Sequence, residues 1–175
     1  MANAFSYQVL KDTTEHAIIK LTGRFDGSGQ ENNHARIAAN SLYGALNSNT
    51  IPGLLSHGGT ALPYYGLTLH RLWYDTSSVG NVELYWHADT SIPMIFMNGN
   101  GEYDGAGNWV TIPNNAKNTA NCNGDIVINT RGMIANDSYT IIAEFRKDNQ
   151  YYQRGQFNDP AAFNYPPYGI TGVKS

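Results

Sequence analysis

The stretch Ser138-Tyr-Thr-Ile-Ile-Ala-Glu-Phe145 decides the fold. Tyr139, Ile141, Ala143 and Phe145 fall on one side of an extended chain, and Thr140, Glu144 and Arg146 on the other, interrupted by Ile142. That is the period of a strand with one face in a core. Working outward, Asp125-Ile-Val-Ile-Asn-Thr130 is a second β-rich run, and the link from Gly132 to Asp137 makes the two read as a pair. Val82 to His87 alternates with Val82, Leu84 and Trp86 inward and Glu83, Tyr85 and His87 outward. Leu67 to Tyr74, across the turn-rich Asp75 to Asn81, reads as its hairpin partner, with Leu67, Leu69 and Trp73 on the core side. In Glu15 to Thr22, Ala17, Ile19 and Leu21 share one face, with Ile18 and Lys20 on the other. Pro93 to Met97 and Trp109 to Ile112 add shorter strands. The pattern predicts an all-β protein, an antiparallel β-sandwich of about seven or eight strands, jelly-roll or immunoglobulin-like.

Two regions fall outside the alternation. Gln30 to Leu55 reads as an insertion with at most one short helix, since Ile37, Leu42 and Leu46 fit a helical stripe only in part, and Ser56 to Tyr65 reads as loop. The expected organisation is a sandwich over residues 1–147, irregular from about 30 to 65, followed by an extended arm over 148–175. The arm holds Tyr151, Tyr152, Phe157, Phe163, Tyr165 and Tyr168 among Pro160, Pro166 and Pro167, with no sustained period. Each aromatic can bury about 150–250 Å², worth several kcal/mol at about 25 cal/mol per Å². Ordering the backbone costs roughly 1–2 kcal/mol per residue, so the arm needs a receiving surface of comparable value. These six residues, with Trp109 as a further exposed aromatic, are the candidate partner-binding residues.

Composition narrows the chemistry. The 175 residues suit one domain, and charged residues make up only 14 %, against roughly 25 % in average soluble domains. Sparse charge with 12 tyrosines is the composition of surfaces that end in interfaces. A formal net charge of -3 offers no footprint for nucleic acid. The first residues, Met1-Ala-Asn-Ala-Phe-Ser-Tyr7, lack the basic region and apolar run of a signal peptide, and no run approaches a membrane span, so synthesis in a cytoplasm and no membrane partner are expected. The single Cys122 has no internal disulfide partner and no neighbouring cation to activate it. No phosphate-binding loop, dinucleotide fingerprint or nucleophile elbow is present, and no cofactor or enzymatic activity is expected. His70 and His87 would approach each other across the predicted hairpin, a weak metal pair. Asn98, Asn100, Glu102 and Asp104 imitate a calcium loop, but Tyr103 occupies the place of its turning glycine. Among Glu83, Glu102, Asp104 and Glu144 nothing selects an acid–base pair.

The runs Leu10 to Gly23, Leu69 to Asp75, Val82 to Asp89, Gly124 to Thr130 and Asp137 to Phe145 resemble small virion structural proteins of tailed phages, especially those of marine cyanobacteria. The resemblance covers roughly residues 8–147 and rests on strand patterns. It implies a β-sandwich capsid decoration or cement protein, carried in many copies or as a homo-oligomer on the virion after assembly in the host cytoplasm. The major capsid protein or other virion subunits would be its partners. A neck or tail component, or a receptor- or glycan-binding adhesin, is the alternative. Members of that family end soon after the strand matching Tyr139 to Phe145, so the arm and the 30–55 insertion are additions suited to docking.

Overall fold

Alternation turns into pleat wherever the sequence shows it. In a computed structural model, residues 3–45, 55–57, 60–62, 65–77, 80–105, 107, 110–117, 119–148 and 152 are described. The strands are β1 (Ala4–Asp12), β2 (His16–Arg24), β3 (His34–Ile37), β4 (Leu55–His57), β5 (Thr60–Leu62), β6 (Leu67–Thr76), β7 (Asn81–Trp86), β8 (Ile92–Met97), β9 (Asn100–Asp104), β10 (Ile112–Pro113), β11 (Ile126–Arg131) and β12 (Ser138–Lys147). One sheet runs β1-β2-β12-β6, with β9 and β10 both beside β6, and the other runs β3-β11-β7-β8. All these pairings are antiparallel.

The pairing is nested: β2 lies beside β12, β3 beside β11, β6 beside β9 and β7 beside β8. A long hairpin wound up in this way is a jelly roll. The nesting corrects both sequence-adjacent pairings. β6 and β7 are not a hairpin but lie in opposite sheets, and β11 and β12 are likewise split. The reason is burial: Leu72 and Leu84, or Ile128 and Ile141, each need an apolar surface facing them, which a strand across the sandwich supplies.

The core lies between the sheets. Ala17, Ile19 and Leu21 of β2, and Tyr139, Ile141, Ala143 and Phe145 of β12, are buried as their alternation requires. Val82, Leu84 and Trp86 face them from β7, with the Trp86 indole edge-on to Phe145 at 6.4 Å between ring centres. Gly23 lies directly opposite Tyr139, whose ring lies where a side chain would stand; a Cβ there would sit 2.2 Å from it.

Trp73 corrects a second expectation, being 40 % exposed rather than in the core. Between Leu69 and Arg71 the register of β6 against β12 slips by one residue, leaving His70 as the extra residue of a bulge. One additional residue reverses every later side chain. Leu67 and Leu69 therefore point inward, then Leu72, and Trp73 points out beside Ile142 and Glu102. Trp73→Ala should change stability by about 1 kcal/mol or less, the size of a cross-strand contact. Trp86→Ala should cost about 3–5 kcal/mol. Paired urea titrations of the two variants check the assignment, and similar losses would refute it.

The 30–65 region is more regular than expected. Its described residues contribute β3 to the second sheet, then a 3₁₀ turn (Ala39–Ser41) and the β4–β5 ribbon. Ile37, proposed for a helical stripe, is a buried strand residue, Leu42 is buried just after the turn, and Leu46 lies outside the described residues.

Candidate interaction surface at the root of the arm

β12 ends at Lys147, and strand alternation carries that lysine inward, in phase with Phe145. Its side chain has no exposed surface. An ammonium there must find acceptors, because burying an unpaired charge is very costly. It finds three: Lys147 Nζ donates to the Asp12 carboxylate and, at 2.7 Å each, to the carbonyls of Thr13 and Tyr43. Burial pushes its pKa down, and the Asp12 carboxylate pulls it back up. The same carboxylate accepts the backbone N–H of Tyr43 at 2.8 Å. One buried cation thus ties the end of β1, the 39–45 segment and the end of β12 together.

Tyr152 completes this knot. Its ring centre lies 5.1 Å from Lys147 Nζ and 5.9 Å from the Tyr65 ring, and its hydroxyl donates to the Ala39 carbonyl at 2.8 Å. It also forms an isolated antiparallel bridge with Ala45. At 1 % exposure it is part of the chain's own core. Among the candidate partner-binding residues, Tyr152 is therefore placed as an anchor within its own chain. Tyr151, Phe157, Phe163, Tyr165, Tyr168 and Trp109 lie outside the described residues.

A second buried charge fixes the start of the 30–45 segment. The Glu31 side chain is fully buried and accepts from Arg36 Nε at 2.5 Å, from Arg36 Nη2, and from the Tyr139 hydroxyl at 2.6 Å. Burial and the Glu31 charge together push the Tyr139 phenol up, so it stays protonated and donates. The Arg36 guanidinium in turn stacks over Phe5 at 4.5 Å, and Phe25 meets the same ring edge-on at 5.6 Å.

Beyond Phe5, β1 has less cover. It is the last strand of its sheet, and Phe5, Tyr7 and Val9 are paired with Gly23, Leu21 and Ile19, which places them on the inner face. Phe5 is covered by Arg36, but Tyr7 and Val9 are each 41 % exposed. Leu10, the extra residue of a bulge between Val9 and Lys11, is also exposed, and exposed Tyr43 stands at the end of the strand with its backbone N–H on the Asp12 carboxylate. Asp12 helps burial push the Tyr7 phenol up.

Two further pairs of ionisable groups are partly exposed. His16 Nδ1 lies 3.1 Å from Glu144 Oε1, and Arg71 Nε donates to Asp104 Oδ1 at 3.0 Å. His70 sits edge-on to His16 at 5.6 Å, and burial first, then His16, holds it below its ordinary value. The proposed His70–His87 approach fails: His70 is in β6, and His87 follows β7 in the other sheet. No group of three or more His, Cys, Asp or Glu suited to a metal occurs among the described residues. Asn100 to Asp104, within the run that only imitates a calcium loop, is β9, and Asp104 accepts from Arg71. Cys122 is buried, and burial pushes its thiol up to about 11, the opposite of an activated nucleophile. A shallow hollow of about 340 Å³ is lined by residues of β1, β2 and β12, among them Phe5, Gly23 and Tyr139. No family model matches the chain, and neither a curated protein nor a solved structure matches it.

Sequence reading missed Glu31, which sits in a polar loop like any surface acid. It also missed Lys147 and Asp12. For Lys147 a signal exists: it continues the inward phase of Tyr139, Ile141, Ala143 and Phe145, where a lysine is out of place unless paired.

Proposed function

We propose that this chain is a structural subunit of a tailed-bacteriophage virion, a capsid decoration or cement protein that binds the major capsid protein or neighbouring virion subunits through a sandwich edge and its C-terminal arm. The carrying observation is the juxtaposition of a nine-residue strand, β1, that is an edge among the described residues, with the buried contacts of Lys147 and Tyr152 from which the aromatic C-terminal segment continues. An open edge offers backbone hydrogen bonds to an added strand, and apolar side chains beside it supply affinity. A protein that binds only the assembled shell stabilises it by the free energy of that binding, with no chemistry required. Jelly rolls serve in viral capsid and lectin domains alike, and a fold alone assigns neither. The strand-pattern resemblance to small phage structural proteins favours the first.

The test is thermal. Particles lacking this protein should release their genome at a lower temperature than complete particles, and restoring the protein should restore the release temperature. Identical release curves would refute the cement role.

A receptor- or glycan-binding adhesin is the second reading, supported by exposed Trp73. The ring stands on an open sheet face between Ile142 and Glu102, with Lys20 one strand further on. Glycan-array binding that disappears in Trp73→Ala, with stability retained, would favour it.

A further inference from the structure

Among the described residues β1 pairs on one side only, with β2, and its inner-face Tyr7 and Val9 form a ledge that is exposed beside that open edge. Edge strands of this length usually carry something that blocks pairing. β1 has Lys11 and one bulge at its far end, and from Ala4 to Val9 its register against β2 is unbroken. Every second residue there turns its N–H and C=O outward.

We infer that in the free chain residues 153–175 of the same molecule cover β1, running from Tyr152 back along the ledge. The place where the described chain stops carries the argument. Lys147 Nζ touches both the Asp12 carboxylate, at the end of β1, and the Tyr152 ring. Tyr152 thus sits across a single lysine ammonium from the end of β1. Nine strand residues span roughly 30 Å. Eleven extended residues from Tyr152 to Phe163 span at most about 40 Å, enough to run the strand's length. The first five of these, from Tyr152 to Phe157, span at most about 18 Å. A short tether gives the arm an effective concentration near millimolar at its own ledge, above that of any second copy in dilute solution. The four aromatics Phe157, Phe163, Tyr165 and Tyr168 match an apolar ledge better than they match water.

This inference concerns the free chain and stands or falls independently of the particle reading. Combined with that reading, it means that edge and arm become available to neighbours together, by exchange of the arm.

Amide hydrogen exchange on the intact chain tests it. The outward amides of Ser6 to Val9 should exchange slowly, and at the same rate at two protein concentrations a hundredfold apart. In the full-length variant Phe157→Ser, Phe163→Ser, Tyr165→Ser and Tyr168→Ser they should exchange at least about tenfold faster, while β12 amides keep their rates. Fast exchange in the wild-type chain, or protection indifferent to the four substitutions, would overturn the inference. Protection that grows with concentration would also overturn it, by assigning the ledge to a second copy.

Discussion

Glu31→Ala is expected to destabilise the protein by about 3–5 kcal/mol, a large part of the roughly 5–15 kcal/mol that holds a domain folded. The carboxylate is wholly buried, so its removal leaves Arg36 and the Tyr139 hydroxyl without the acceptor around which they are arranged. Arg36 is only about a fifth exposed, at 22 %, and cannot simply turn its charge to water. The loss spreads, because Tyr139 fills the space over Gly23 and Arg36 covers Phe5. Glu31→Gln should lose less, keeping an oxygen for the phenol while forfeiting the charge that pairs with the guanidinium. Equilibrium urea unfolding of both variants decides it. A loss under about 1 kcal/mol for Glu31→Ala would show that the network is solvated rather than buried.

The contrast between this network and the strands shows what the sequence exposes to reading. Alternation in Glu15 to Thr22, Val82 to His87 and Ser138 to Phe145 assigned every inward side chain correctly, because period and burial have the same physical origin. The all-β sandwich followed from that. Pairing did not, since a strand's pattern says which face is apolar and nothing about which strand lies beside it. Turn-rich links at Asp75 to Asn81 and at Gly132 to Asp137 suggested hairpins, yet both cross between sheets. Trp73 was misplaced by a single extra residue, His70, that no local composition betrays. Glu31 and Asp12 resemble any other surface acids until the pairing of distant strands brings Tyr139 and Lys147 to them.

Lys147→Met should cost a comparable amount, about 3–5 kcal/mol, and for the complementary reason. Methionine preserves most of the volume, so the loss measures charge and hydrogen bonding rather than a cavity. It strands the Asp12 carboxylate, which is only 18 % exposed, and removes the donor shared by the Thr13 and Tyr43 carbonyls. Because breaking one side of a buried pair is worse than replacing both, Lys147→Met with Asp12→Leu should recover about half of the loss or more. Failure of the double variant to recover any stability would mean that the backbone groups left without partners, the Thr13 and Tyr43 carbonyls and the Tyr43 N–H that Asp12 also accepts, outweigh the charge pair. The single variant should also loosen Tyr152, whose ring rests against the ammonium. Faster exchange at Ala45 and Tyr152, with β7 unaffected, would locate the damage at the arm's root. Uniformly faster exchange would instead mean that Lys147 supports the whole sandwich.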